Sequence, residues 1–439
     1  MEIAIWWLRR DIRIEDNLAL LRALESGYPV LPLFIFDREI LSGLSPDDLR
    51  VEFIIREVNK LSGILAGQGF DFQVETGSPL EVFKKLTVNY AVMHVFASVD
   101  YEPYSIKRDH LIEEFLKTKG CWFHRLTDHV VFNPDRVIKE NGTPYQVFTP
   151  YKKNWLKVLE TQGLDYYPSE TLLAHLLPLN RPWEKVEKLE GFIRQDFQFP
   201  SIEPDLDTIT NYHLHRDFPG VRGTSRLGIH LRFGTLSIRK LTRLALSYNA
   251  TFLSELIWRE FYQMILFFYP SVVTRSFKPE YDQIQWLNRE DDIDAWSSGR
   301  TGYPLVDAGI KELLATGFMH NRVRMVTASF LTKHLLVDWR FGEAFFAAHL
   351  LDYELASNNG GWQWAAGSGC DAAPYFRVFN PELQAKRFDP QAVYCKQWLT
   401  GFVSPDTYIK PIIEQVFARA RVLKAFRKGL SGNGIDSLS

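Results

Sequence analysis

The first 130 residues alternate short apolar, β-rich segments with amphipathic segments of helical period. The apolar segments lie at residues 3–7, 30–36, 72–75, 91–97 and 122–125, and the stretch from Asp48 to Ala66 has a helical pattern. Strands that alternate with helices form parallel sheets, because a parallel connection has to return over the face of the sheet. The sequence therefore predicts an α/β N-terminal domain with a Rossmann-like parallel sheet.

The chain changes character after this region. Residues 131–200 carry scattered prolines among polar residues, which is typical of a long surface connection, and from about residue 205 the apolar residues recur with a helical period. A chain of 439 residues also exceeds what one hydrophobic core usually holds. We therefore predict an α/β domain over residues 1–130, an interdomain linker over 131–200 and an all-helical domain over 201–439.

The predicted sheet lacks a nucleotide-binding turn. Trp7 leads directly into Leu8, Arg9, Arg10 and Asp11, whereas a nucleotide-binding sheet would continue into a G-x-G-x-x-G or G-x-x-x-x-G-K turn. The first domain therefore shows no phosphate loop.

Composition excludes several classes of protein. The three cysteines are far apart and lack C-x-x-C spacing, so neither a disulfide framework nor a zinc site is expected. No apolar run approaches the length of a membrane span, and the N-terminal apolar residues precede the arginines, which is the reverse of a secretory signal. We expect a cytoplasmic protein. Its formal charge of -2 restricts any DNA contact to a local basic patch.

The segment Asn358–Trp364 combines two amides, two glycines and two indoles. Glycines allow close approach of the backbone to a ligand and disfavour the interior of a helix, so we expect a loop or a helix start that lines a pocket. The alternative is an aromatic turn in the core. The acidic residues Asp352 and Glu354 lie just before this segment.

Two further helices carry polar side chains among apolar ones. Glu255, Trp258 and Tyr262 share one helical face, although a solvated glutamate beside a core tryptophan would show the same pattern. The stretch Phe318–Met325 stacks an asparagine over a methionine and carries Arg322 and Arg324. Buried guanidinium groups need a phosphate or a carboxylate partner. Asp338 and Glu343 are the expected structural partners of these two arginines.

These stretches resemble the photolyase and cryptochrome flavoproteins, most closely the class I photolyases that repair cyclobutane pyrimidine dimers. The resemblance covers nearly the whole chain. It rests on ordered motifs at Trp7–Asn17 (W-x-R-R-D-x-R-x-x-D-N), Gly223–Leu227, Glu255–Tyr262, Thr301–Pro304, Met319–Met325 and Asn358–Trp364. It implies an α/β antenna domain followed by an all-helical domain that binds a U-shaped FAD.

The resemblance also implies roles for individual residues. The implied FAD contacts are Tyr212, Thr224, Ser225, Arg226, Leu227, Arg259, Arg324, Asp352, Glu354 and Asn358, of which Asn358 faces flavin N5. The implied lesion pocket contains Glu255, Trp258, Asn321, Met325 and Trp364, with Arg216, Arg322 and Arg377 directed toward DNA phosphates. Trp362, Trp339 and Trp286 match the family's electron-transfer chain, and with Glu255 and Asn358 they are the candidate catalytic residues.

The implied activity is light-driven repair of cyclobutane pyrimidine dimers in DNA by an electron from excited reduced FAD. A (6-4) photolyase would carry a histidine pair where this chain has Asn321 and Met325. A cryptochrome light sensor often has a long C-terminal extension, whereas few residues follow Lys428. A redox flavoenzyme of another class would need a nicotinamide site that the sequence does not show.

The resemblance leaves the antenna chromophore open. Tyr104 and Ser105 replace the asparagine and glutamate of folate-binding members. A deazaflavin, another flavin or an empty pocket remain as alternatives. The expected partner is damaged DNA. No membrane contact and no obligate protein partner are expected, and the chain is expected to be a monomer.

Overall fold

The computed structural model describes residues 1–180, 182–372 and 374–431. The described chain forms two compact units. The first unit consists of Met1–Val137, Trp155–Pro204 and Arg226–Ser247, and the second consists of Ile138–Asn154, Asp205–Ser225 and the residues from Tyr248 onward. The division into domains at residues 130 and 200 stays a prediction.

The first unit contains a five-stranded parallel sheet of order β3-β2-β1-β4-β5. Its strands are β1 (Glu2–Leu8), β2 (Val30–Asp37), β3 (Gln73–Gly77), β4 (Ala91–Ser98) and β5 (Trp122–Leu126). The central strand β1 is buried from its second residue to its last, because helices cover both faces of the sheet. The predicted α/β fold is thereby confirmed.

Helices connect these strands. They are α1 (Leu18–Leu24), α2 (Arg38–Leu41), α3 (Leu49–Gly67), α4 (Pro79–Asn89) and α5 (Pro103–Thr118). The helix predicted from Asp48 begins one residue later, because the Asp48 carboxylate accepts a hydrogen bond from the backbone N–H of Arg50 and caps the helix. Asn17 caps α1 in the same way through Leu20.

The remainder of the described chain is mainly helical, as predicted from residue 205 onward. Its helices are α6 (Phe148–Gln162), α7 (Leu206–Thr210), α8 (Tyr212–His215), α9 (Gly228–Phe233), α10 (Ile238–Tyr248), α11 (Ala250–Phe268), α12 (Glu290–Ser297), α13 (Pro304–Thr316), α14 (Asn321–Ser329), α15 (Trp339–His349), α16 (Leu355–Ala366), α17 (Pro381–Phe388), α18 (Val393–Trp398) and α19 (Gln415–Leu430). A π-helical turn, Phe330–His334, follows α14. The helix α6 lies within the stretch that the prolines mark as a connection.

A hydrophobic core of the second unit is built from α12 to α16 and α18 around large aromatic side chains. Trp296, Trp339 and Trp362 are all at most 2% exposed within one cluster. The N-terminus of α14 is capped by His320, whose Nδ1 accepts the backbone N–H of Arg322. This cap explains why the helix begins directly at Asn321, with its first turn beside the site described below.

The expectation of a loop at Asn358–Trp364 is wrong, and the expected helix start holds only for Asn358, which lies in the first turn of α16. All seven residues lie inside α16, which begins at Leu355. The reason lies in helix packing, because a Cβ atom at Gly360 would meet the Tyr262 ring of α11 at 2.2 Å. Gly360 therefore serves close contact between two helices, and that contact offsets its low helix propensity.

Among the described residues, no helix is both long and apolar enough to span a bilayer.

Candidate active site

A cavity of about 390 Å³ opens in the second unit between α11, α14 and α16. This volume falls within the range of roughly 300–1,000 Å³ that is usual for ligand pockets. The cavity brings together most of the predicted cofactor and lesion residues, which are Arg216, Glu255, Trp258, Arg259, Asn321, Arg324, Met325, Asp352, Glu354, Asn358, Trp362 and Trp364. Residues that are up to 148 positions apart in the sequence, from Arg216 to Trp364, therefore meet at one site.

The other predicted site residues lie outside this lining. Tyr212 contacts the lining residue Arg216, whose guanidinium carbon is 5.4 Å from the Tyr212 ring centroid. The implied phosphate-binding segment Thr224–Leu227 is also outside the lining, and so are Arg322, Arg377, Trp286 and Trp339. Their predicted roles in binding or electron transfer stay predictions.

Each cavity arginine next to the acidic pair has a carboxylate partner. Arg259 binds Glu354 at 2.7 Å, and Arg324 binds Asp352 at 2.9 Å. The partners expected for the arginines of α14 were wrong. Arg322 binds Asp217, whereas Asp338 binds Arg340 and Glu343 binds Asn358. Asp338 caps α15 and accepts from the Arg340 backbone N–H, whereas the Glu343 carboxylate accepts from Asn358 of α16.

The Asn358 side chain has a defined orientation. Its Nδ2 donates to the carbonyl oxygen of Glu343 at 3.0 Å and to the Glu343 carboxylate at 2.8 Å. Burial raises the pKa of Glu343, and the hydrogen bond from Asn358 opposes that shift. Because the amide N–H groups are used in this way, Oδ1 is left to accept a hydrogen bond from a ligand in the cavity. This arrangement fits a flavin whose N5 carries a proton.

Trp258 is held by a stacked ring. Phe148, in the first turn of α6, lies parallel to the indole at a centroid distance of 3.7 Å and an interplanar angle of 8°. Phe261 contacts the same indole edge-on at 5.6 Å. The Phe148 backbone N–H in turn donates to the Asp371 carboxylate. Sequence reasoning missed Phe148, because it lies 110 positions before Trp258 and no local pattern connects the two.

Glu255 and Arg216, which both line the cavity, form an ion pair. Burial raises the pKa of the Glu255 carboxyl group, while the charge of Arg216 opposes that shift. The positive charges of Arg216 and Lys152 both favour the charged form of this carboxylate. A ligand that draws Arg216 away from Glu255 would raise the pKa of this carboxyl group. A ligand that donates a hydrogen bond to the carboxylate would lower that pKa.

The three candidate electron-transfer tryptophans share one hydrophobic cluster, in which Trp339 and Trp362 are buried and against which Trp286 packs. The ring of Trp362 packs on Gly342 of α15 so closely that a Cβ atom there would lie 2.1 Å from it. Trp339 begins the same helix one turn earlier. The backbone N–H of Leu287, next to Trp286, bonds the Leu336 carbonyl at 2.7 Å. The indole of Trp296 packs edge-on against that of Trp362, with 6.1 Å between the ring centroids. Trp296 was not singled out from the sequence.

Two family models match the chain. A model described as DNA photolyase matches residues 4–170, and one described as the FAD binding domain of DNA photolyase matches residues 252–415. The second match includes almost all of the cavity residues. The helical unit therefore contains an FAD-binding domain of the photolyase type.

Full-length relatives agree with these matches. A deoxyribodipyrimidine photo-lyase of Alkalihalophilus pseudofirmus is 37% identical over 92% of this chain and 88% of its own length. Among solved structures, a class III photolyase from Agrobacterium tumefaciens aligns with a TM-score of 0.83 at 30% identity, covering 98% of both chains.

Two other solved structures are similar over nearly the whole chain. An archaeal photolyase from Sulfolobus tokodaii, solved with two FAD molecules, aligns with a TM-score of 0.80 at 29% identity and covers 98% of this chain and 100% of its own. A Synechocystis cryptochrome aligns with a TM-score of 0.84 at 25% identity, with 97% and 99% covered. The chain belongs to the photolyase and cryptochrome family of flavoproteins.

Proposed function

We propose that this protein repairs cyclobutane pyrimidine dimers in DNA with light, as a deoxyribodipyrimidine photo-lyase. The observation that carries the proposal is the single cavity in which Asn358, Asp352 and Arg324 lie with Trp258 and Glu255. A cofactor and a lesion that bind these two groups of side chains would be neighbours. Electron transfer between them requires such proximity and no nucleophile or metal.

The cofactor half of the cavity fits FAD because it contains two arginine–carboxylate ion pairs and the Asn358 amide. Reduced FAD, when bound and excited, supplies an electron that splits the dimer and then returns. Asn358 would accept a hydrogen bond at flavin N5, since Glu343 fixes its amide in that orientation. Arg259 and Arg324 neutralise Glu354 and Asp352, so the cavity wall does not repel an anionic cofactor.

The lesion half would receive a dimer that has left the DNA helix. Extrusion costs a few kcal/mol, and the cost is smallest for a damaged, poorly stacked step. Stacking on aromatic side chains contributes about 1–3 kcal/mol per base, which offsets this cost. Trp258 and Trp364 offer the aromatic surfaces, and Phe148 covers the other face of Trp258. Asn321 and Met325 stand where a (6-4) photolyase carries histidines.

Glu255 would bind the damaged pyrimidine once Arg216 has turned toward a DNA phosphate. The raised pKa of Glu255 favours a shared proton, which stabilises negative charge on the lesion after it has received the electron. Arg322 and Arg377 would add phosphate contacts, and these make binding salt-dependent. We also propose that the protein acts as a monomer.

We further propose that Trp362, Trp339 and Trp286 carry electrons from the protein surface to oxidised FAD. Trp362 lines the cavity and packs on Gly342 of α15, the helix that begins at Trp339. Trp286 is partly exposed at the outer end. The chain of indoles would restore the reduced cofactor and takes no part in splitting the dimer.

The decisive assay illuminates the chemically reduced protein with each lesion separately in a defined oligonucleotide. We expect cleavage of the cyclobutane dimer only. Cleavage of only the (6-4) product would refute the substrate assignment. Cleavage of neither lesion, in protein that holds reduced FAD, would favour the cryptochrome function. The absorption spectrum of the same preparation identifies any second chromophore, because such a chromophore adds a band that FAD does not have.

A further inference from the structure

A second cavity lies at the C-terminal helix α19, away from the candidate active site. It has a volume of about 530 Å³ and is lined by Gln283, Gln285, Leu287, Leu336, Arg421, Lys424, Ala425, Lys428 and Gly429. We call it the α19 cavity. None of its lining residues belongs to the lining of the active-site cavity.

The α19 cavity is positively charged. Arg421, Lys424 and Lys428 are spaced along one face of α19, and among the described lining residues none carries a carboxylate. Burial lowers the pKa of Arg421. Two charged residues outside the cavity lining oppose each other there, since Asp292 raises this pKa and Arg289 lowers it. The amides of Gln283 and Gln285 add hydrogen-bonding groups, while Leu287 and Leu336 supply apolar surface. Such a wall suits a small organic anion.

The same cavity adjoins the outer candidate tryptophan. Gln283, Gln285 and Leu287 line the cavity, whereas Ile284 and Trp286 between them do not. Ile284 and Trp286 both pack in the aromatic cluster that Phe426 of α19 completes. The indole of Trp286 contacts the Phe426 ring edge-on at 6.0 Å. The indole of Trp286 therefore belongs to a residue whose two chain neighbours both line the cavity.

We propose that the α19 cavity binds a small enediolate anion, which donates one electron to oxidised Trp286. This inference rests on the proposed tryptophan chain. After an electron has moved inward from Trp286, the remaining indole radical cation accepts one electron from the bound anion. The indole returns to its neutral form, and the anion becomes a radical that loses any acidic proton to water. One electron enters at the cavity for each electron that moves inward.

The first test measures binding in the dark by isothermal titration calorimetry, with ascorbate as the probe and the FAD-containing protein. We expect one site per chain whose affinity falls as salt is added. The double variant Lys424→Glu with Lys428→Glu should weaken binding by at least about tenfold, because it reverses two of the three cavity charges. The matched control is Arg419→Glu with Arg427→Glu, which changes the net charge equally on exposed positions of α19 outside the cavity.

Equal binding by both double variants, or no binding by the parent protein, would overturn the site. These variants alter exposed side chains, and their circular dichroism spectra should match that of the parent.

The second test follows light-driven reduction of bound oxidised FAD at increasing ascorbate concentrations. We expect a rate that saturates at the affinity measured in the dark, and a loss of saturation in the cavity variant but not in the control variant. Dithiothreitol, which is uncharged at neutral pH, should support similar rates in both variants. A rate that rises linearly with ascorbate in every variant would refute the donor role.

Failure of the tryptophan chain would look different. Ascorbate would still bind at one site, but no donor would support photoreduction of the parent protein. That result would overturn the donor role and leave the anion site standing. If ascorbate instead reduced Trp286 without occupying the α19 cavity, the photoreduction rate would be the same in the parent protein and in both double variants.

Discussion

The paired glycines of α16 offer a test of how this helix packs. An ideal Cβ at Gly360 would lie 2.2 and 2.3 Å from two Tyr262 ring atoms, whereas a Cβ at Gly361 would meet no atom within 4 Å. Both positions are inside the same helix, so the gain in helix propensity from Gly to Ala, about 1 kcal/mol, is common to Gly360→Ala and Gly361→Ala. Their difference in stability therefore reports the clash with Tyr262.

Overpacking of this kind costs roughly 1–3 kcal/mol. We expect Gly361→Ala to stabilise the FAD-free protein by about 1 kcal/mol and Gly360→Ala to be less stable than Gly361→Ala by about 1–3 kcal/mol. Urea unfolding followed by circular dichroism measures both values. Gly361 also lines the active-site cavity, so its new methyl group should weaken FAD binding although the apoprotein gains stability.

A double-mutant cycle identifies the clash partner. In a Tyr262→Ala background the ring is absent, and Gly360→Ala should then be about as stable as Gly361→Ala. Equal stability of the two alanine variants in the parent background would refute the close packing of α16 on α11. A difference that persists without the Tyr262 ring would assign the cost to another contact.

Three further predictions follow from the second unit. Trp362→Phe should abolish photoreduction of oxidised FAD while chemically reduced protein still repairs dimers, and photoreduction at the parent rate would contradict the proposed chain. Trp258→Ala should lose roughly 1–3 kcal/mol of affinity for dimer-containing oligonucleotide, measured by fluorescence anisotropy, with little change for undamaged DNA. Buried Lys333 donates to the Arg377 carbonyl, and burial lowers its pKa from 10.5 to about 8. The unfolded chain therefore binds more protons between these values, so parent stability should rise with pH relative to Lys333→Met, and parallel curves would refute this.

Local patterns in the sequence were sufficient for the strands of the first unit. The five apolar segments became β1 to β5, because strand formation depends on short apolar runs between turn-forming residues. By helical spacing, Glu255, Trp258 and Tyr262 were predicted only to share one helical face, and all three line the same cavity, since residues three or four positions apart meet on a helix whatever surrounds it.

Tertiary contacts decided the environment of the site. Arg324 binds Asp352 rather than Asp338, Phe148 stacks on Trp258, and Glu343 orients Asn358. Each contact joins residues that are distant in the sequence, and many side chains of the same type would satisfy the local pattern equally well. Burial then determines which pairs form, because a charge or an amide removed from water has to find a partner within hydrogen-bonding distance in the folded chain.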